Sequence, residues 1–311
     1  MNAATPPRIE ALPGIPPSLT GESPCWHPTE QVLYWCDIPG HALHRFDPAT
    51  NAHTSWSFDT DVACCAPLVV GGRAETTLML LALRSGLAIF DTANGCVERL
   101  PGTLPYDPAV ERYNDGKADA KGRMWIGTIF EPRTAANAAL FRCDARGLER
   151  VAGNATVANG LAWSPDARTM YWSDTTSHRI DAFEFVIEHG TVANRRGFAS
   201  LALKHPGQAL DTYGGRPDGA TVDSQGFYWA AMFEGARLVR LSPEGRIDRE
   251  VRLPVRCPTM PCFGDADLKT VYVTTSSHNR PPGELADEPL AGCVLRLRVD
   301  VPGLPCHVAR L

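Results

Sequence analysis

The chain has 311 residues, 44% apolar and 21% charged, with 30 Lys and Arg against 35 Asp and Glu and a formal net charge of −5. That composition excludes intrinsic disorder and argues against a nucleic-acid partner, whose polyanionic backbone calls for a basic surface. The best apolar run, Leu78 to Leu83, is strand-sized and far short of the ~20 residues of a membrane span, so no membrane association is expected.

From the N-terminus, MNAATPPRIEALPGIPPS lacks the basic start and apolar core of a secretion signal, which predicts a cytoplasmic protein. Residues 1–18 read as a flexible Pro-rich arm and residues 19–311 as a single domain. The ten cysteines include adjacent Cys64-Cys65 and the pair Cys257 and Cys262, without a CxxC or HExxH motif. A chain long enough to bury a full core needs no disulfide staples, so these read as reduced, mostly buried thiols.

Helical periodicity is poor, whereas short β-branched and aromatic runs bounded by turn residues recur. Six align: VLYWCD from Val32, LMLLAL from Leu78, RMWIGT from Arg123, TMYWSD from Thr169, FYWAAM from Phe227 and TVYVTT from Thr270. Their starts are spaced 46, 45, 46, 58 and 43 residues apart. A second apolar strand follows each, as in LHRFDPAT from Leu43 and LVRLSPEG from Leu238. A period near 45 residues with several strands per unit is the signature of a β-propeller. The prediction is an all-β, six-bladed β-propeller with a central channel, in preference to a β-sandwich with similar turns. The final strand, Val294 to Asp300, is placed to close the ring by joining the N-terminal sheet. The longer interval before Phe227 predicts a loop insertion over 204–216 that covers one mouth of the channel.

Propeller chemistry sits where inner strands of several blades meet at the axis, so polar residues beside the apolar strands matter most. Four segments fit: Thr20-Gly21-Glu22-Ser23-Pro24, Arg112-Tyr113-Asn114-Asp115-Gly116-Lys117, Val157-Ala158-Asn159-Gly160 and Arg216-Pro217-Asp218-Gly219. A lone Asn-Gly or Asp-Gly is ordinarily a turn. Four in register on a repeat converge at the axis and read as a site. Glu22, Asn159 and Asp218 offer only oxygen, which suits Ca²⁺, Mg²⁺ or Mn²⁺ and admits Fe²⁺ and, with less preference, Zn²⁺. Three protein ligands leave positions open, which favours a catalytic or substrate-binding metal over a structural one.

The blocks GESPCWHPTEQVLYWCDIPGHALHRFDP, RYNDGKADAKGRMWIGT, VANGLAWSPDARTMYWSD and RPDGATVDSQGFYWAAM resemble, in order, those of the SMP-30/gluconolactonase (regucalcin-like) family. The likeness runs from about Leu19 to Ser277. It implies one divalent metal ion in the channel, a small-molecule sugar lactone as partner, and hydrolysis of glucono-, galactono-, xylono- or arabinono-lactone. It also implies Glu22, Asn159 and Asp218 as metal ligands and Arg112 and Asn114 as substrate contacts. Glu131, after the strand Gly127-Thr128-Ile129, matches a further family pocket residue. The stretch Asp61 to Pro67 matches no family block.

In the mechanism this implies, the cation polarises the lactone and Asp218 doubles as ligand and general base. A carboxylate beside a dication is a weak base, so water acidified by the cation is the rival source of the nucleophile. Two other functions compete: a propeller hydrolase of aryl esters or phosphotriesters, against which the absence of His from the four segments counts, and a non-enzymatic calcium-binding regulatory propeller.

Overall fold

The computed structural model describes residues 7–72, 76–281 and 283–311. Six sheets, each built on four antiparallel strands, make up an all-β, six-bladed propeller with little helix. Blade 1 is Gly21–His27, Val32–Asp37, Ala42–Asp47 and Ala52–Ser57, and blade 2 is Val62–Val69, Leu78–Leu83, Gly86–Asp91 and Cys96–Arg99. Glu111–Ala118, Met124–Phe130, Ala138–Asp144 and Gly147–Ala155 form blade 3. Blade 4 is Ala158–Trp163, Thr169–Asp174, Arg179–Val186 and Thr191–Ser200, and blade 5 is Arg216–Val222, Tyr228–Phe233, Arg237–Leu241 and Ile247–Arg252. Blade 6 is Pro258–Gly264, Thr270–Thr275, Leu295–Arg298 and Ile9–Ala11.

The six apolar runs of the repeat are the second strands of the six blades. Blades stack face to face, so both faces of these strands are covered and they read as continuous apolar runs instead of alternating ones. VLYWCD and TVYVTT are buried at every position, whereas the outermost strand Cys96–Arg99 is exposed throughout. Trp35, Trp125, Trp172 and Trp229 occupy these second strands and are among the largest fully buried side chains.

The turn before the second strand carries a repeated device. Asp119 accepts from Trp125 Nε1 at 2.9 Å and Arg123 Nε at 2.7 Å. Asp223 accepts from Trp229 Nε1 at 2.9 Å and Arg240 Nε at 2.8 Å. Each carboxylate thus satisfies a buried indole and a buried guanidinium that would otherwise carry a full desolvation penalty.

Closure differs from the sequence expectation. Ile9–Ala11 pairs antiparallel with Leu295–Arg298 as the outer strand of blade 6, so the N-terminal segment joins the last sheet and not the reverse. The loose-arm reading of residues 1–18 is therefore corrected from Ile9 onward: Leu12 is buried, Leu12 N donates to Val294 O at 2.9 Å, and Ser18 N to Gly292 O at 2.9 Å. Residues 1–6 of that arm lie outside the described residues.

Beyond blade 6 the chain crosses one end of the channel. Ser224 N donates to Pro302 O at 2.9 Å in blade 5, and Arg310 N to Gly122 O at 2.8 Å in blade 3. Ala309–Arg310 then pairs in parallel with Val62–Val69 of blade 2. All ten cysteines are unpaired and most are buried. The stretch 61–67 without a family match belongs to the innermost strand of blade 2, where Cys64 packs against Gly116. No helix among the described residues is long and apolar enough to cross a membrane.

Candidate active site

In every blade the pairing of the innermost strand with the second strand is interrupted once. The shifts fall between Glu22 and Cys25, Val62 and Cys64, Tyr113 and Gly116, Asn159 and Ala162, Pro217 and Ala220, and Pro258 and Met260. A bulge releases the strand from the ladder and re-aims a side chain. Glu22, Asn114, Asn159 and Asp218 all sit at these bulges. The glycine after two of them, Asn159 and Asp218, answers to packing and not to a hairpin turn. A Cβ on Gly160 would lie 2.3 Å from Tyr228 Oη, and one on Gly219 would lie 2.4 Å from Met260 Cβ. Gly160 also has φ +65°, the left-handed region that glycine adopts without strain.

Glu22, Arg112, Asn114, Asn159 and Asp218 line one cavity of about 330 Å³ at the mouth opposite the C-terminal crossing. A hydrogen-bonded chain runs along its floor through three blades. Arg112 Nη1 donates to Asn114 Oδ1 at 3.0 Å, Asn114 Nδ2 to Asn159 Oδ1 at 2.9 Å, and Asn159 Nδ2 to Asp218 Oδ1 at 2.5 Å. Thr175 Oγ1 accepts from the same Asn159 amide at 2.8 Å. Glu22 faces this chain from blade 1, its Oε2 accepting from the Ser23 amide at 3.1 Å.

Burial pushes the Glu22 carboxyl well above the usual carboxylate range, and the negative charges of Asp218 and Asp115 push it further. Burial also raises Asp218, to about 8, against the lowering influence of Arg216. Asp115 lies behind them. Its Oδ2 accepts from Leu161 N at 2.9 Å, while its Oδ1 is buried without a partner, and burial raises it as well. The floor therefore concentrates negative charge without a cation in direct contact.

Two expectations do not hold. Glu131 does not line the cavity: Arg84 holds it at 2.6 Å, and it stands behind Arg112, 3.4 Å from Nε. Of the stretch 204–216 only Arg216 lines the cavity. Tyr213 instead hydrogen-bonds to His178 at 2.9 Å beside blade 4. The loop 101–104 lines a separate apolar cavity between blades 2 and 3.

The cavity also gathers residues that the sequence reading did not single out: Phe233 at the end of the second strand of blade 5 and Glu234 after it, Arg133 after that of blade 3, and His278 and Arg280 after that of blade 6. The blade topology, and no repeat in the sequence, points to them. Antiparallel neighbours bring the end of each second strand to the mouth where the first strand begins. Among the described residues no three His, Cys, Asp or Glu side chains gather as a metal-holding cluster; the candidate donor set is two carboxylates and an amide.

The family model described as SMP-30/Gluconolactonase/LRE-like region matches residues 20–277. A 6-deoxy-6-sulfogluconolactonase of Pseudomonas putida is 42% identical over 288 residues, covering 92% of this chain and 94% of the relative. Regucalcin of Gallus gallus is 31% identical over 293 residues, covering 92% and 93%. A luciferin-regenerating enzyme superposes with a TM-score of 0.86 at 26% identity, covering 98% of this chain and 100% of that one. With the matched blocks, the blade order and the axial cavity all in agreement, the chain belongs to the SMP-30/gluconolactonase/LRE-like family.

Proposed function

We propose that the protein hydrolyses sugar lactones, opening aldonolactones such as glucono-, galactono-, xylono- or arabinono-lactone to the aldonic acid, with one divalent cation held by Glu22, Asn159 and Asp218. The observation that carries this reading is the chain Arg112–Asn114–Asn159–Asp218 facing Glu22 across a cavity large enough for a six-carbon sugar lactone. A relative named for a sulfonated gluconolactone supports the lactone class.

The residues fit a cation. Two buried carboxylates whose ionisation is opposed by burial and by nearby negative charge gain most from a dication between them. The donors are oxygens, compatible with Ca²⁺, Mn²⁺, Mg²⁺, Fe²⁺ or Zn²⁺. Asn159 presents its amide nitrogen to Asp218. Ligation through its oxygen requires the amide to turn over, which Thr175 Oγ1 accommodates because a hydroxyl both donates and accepts, and which the Asn114 amide must follow because its Nδ2 donates to Asn159 Oδ1. A cation bound there supplies a Lewis acid for the ester group.

The chain's own groups do the rest. Arg112 Nη1 donates to Tyr113 O at 2.8 Å and Asn114 Oδ1 at 3.0 Å and its Nε faces Glu131 at 3.4 Å, leaving Nη2 for substrate oxygens. Asn114 bridges substrate and Asn159. Asp218 takes a proton from water as the water oxygen bonds to the carbonyl carbon. The ring C–O bond then breaks and the proton passes to the leaving oxygen. A positioned base of this kind contributes roughly 10² to 10⁴ in rate.

The test is a pH-stat assay across an aldonolactone panel with and without EDTA. Acid release that EDTA abolishes and added dication restores is expected. Activity undiminished by chelation would remove the cation, and no acid release from any lactone would remove the activity.

A further inference from the structure

The charges around the cavity mouth nearly all have partners. Arg280 pairs with Glu284 at 2.6 Å and Glu234 at 3.2 Å, and Arg216 pairs with Glu234 at 3.1 Å. Arg256 completes that cluster with Glu284 at 3.3 Å and Glu288 at 3.6 Å, so three guanidiniums meet three carboxylates. On the other side Arg84 and Arg112 share Asp61 and Glu131. A dication held by Glu22 and Asp218 would offset the charge of those two carboxylates. Arg133 is left over: it lines the same cavity, projects from the exposed segment after Met124–Phe130, and forms no ion pair among the described residues.

Arg133 also faces inward. Arg133 and Arg216 line the same cavity, Arg133 from blade 3 and Arg216 from blade 5. Arg216 keeps only Glu234, a partner it shares with Arg280. Neutral sugar hydroxyls are met well by amides and by arginines already paired. An uncompensated guanidinium at the rim of a substrate cavity matches a tetrahedral or planar oxyanion, to which it donates two parallel charge-assisted bonds.

Resting on the lactonase reading, we infer that the preferred substrate is an aldonolactone bearing an anionic group, with Arg133 as its counter-ion. The group is a sulfonate, a phosphate or a carboxylate. These share the chemistry the arginines recognise, and they differ in shape and charge.

The experiment compares kcat/KM for glucono-1,5-lactone, its 6-phosphate, its 6-deoxy-6-sulfonate and a glucaric acid monolactone, using the cation-loaded enzyme and the variants Arg133→Ala and Arg133→Lys. At least one anionic lactone is expected to be favoured over the neutral one by about tenfold to a hundredfold, the worth of one charged hydrogen-bonded contact. The preference should shrink with added salt. Arg133→Ala should collapse the anionic-to-neutral ratio through KM, and Arg133→Lys should restore part of it. Arg133 is exposed, and an unchanged melting temperature verifies that the variants fold. Equal or better use of the neutral lactone, or a ratio unmoved by Arg133→Ala, would overturn the inference and leave the lactonase reading standing. No hydrolysis across the panel would overturn the lactonase reading itself, and the inference with it.

Discussion

Asn159 and Asp218, 59 positions apart in sequence, meet at 2.5 Å on the propeller axis, the amide of blade 4 donating to the carboxylate of blade 5. Because Asn159 also contacts Asn114 and Thr175, it holds three neighbours in register. Asn159→Ala should therefore cost about 1–3 kcal/mol in stability, from buried partners left unsatisfied. It should also lower divalent-cation affinity and kcat/KM by roughly 10–100-fold. Calorimetric titration with Mn²⁺ beside a thermal melt checks both; a variant that binds Mn²⁺ as tightly as the wild type would remove Asn159 from the site.

Asn114 touches Asn159 directly, so its replacement should act on more than substrate binding. Asn114→Ala is expected to raise KM about tenfold and also to weaken cation binding by about tenfold, since a partner that orients a ligand is lost. Steady-state kinetics at limiting and at saturating Mn²⁺ separate the two effects. A KM effect identical at both concentrations would confine Asn114 to the substrate.

The buried carboxylates give the cation-free protein a pH dependence of definite sign. Glu22 and Asp218 are raised in the folded state, Asp218 to about 8, chiefly by burial, so the native protein binds more protons than the unfolded chain. Their contribution to stability is full below the unfolded carboxylate pKa near 4 and is lost as pH rises through the folded values. In EDTA the melting temperature should fall by several degrees between pH 5 and pH 9. Added dication should raise it more at pH 9 than at pH 5, and Asp218→Asn should flatten the profile. A melting temperature that rises with pH in EDTA would contradict this account of the floor.

Gly160 is held by packing as well as by conformation. Gly160→Ala places a methyl group 2.3 Å from Tyr228 Oη on a backbone with φ +65°. The cost should be about 2–4 kcal/mol. Gly197, with open space around its Cβ position, is the matched control, and Gly197→Ala should stay within about 1 kcal/mol. Denaturant unfolding of the two variants makes the comparison.

What was legible in the sequence follows from what repeats. The second strands are covered on both faces in every blade, so each leaves an apolar run such as VLYWCD, and the blades could be counted from spacing alone. Glu22, Asn114, Asn159 and Asp218 stood out because they break that pattern at matching positions, where the bulges fall. Arg133, His278 and Arg280 lie on connections after the second strands, where length and sequence vary from blade to blade and no period marks them. Ile9–Ala11 was too short and too near prolines to read as a strand; only the open edge of blade 6 makes it one. Glu131 misled because adjacency to the right strand says nothing about the arginine that captures its side chain.

Catalysis at this site requires one ion gripped by residues from three blades. An anomalous difference map from crystals grown with Mn²⁺ tests this most directly. The predicted result is a single strong peak bounded by Glu22, Asn159 and Asp218, absent in the Asp218→Asn variant; no peak there, or a peak held elsewhere in the molecule, would contradict it.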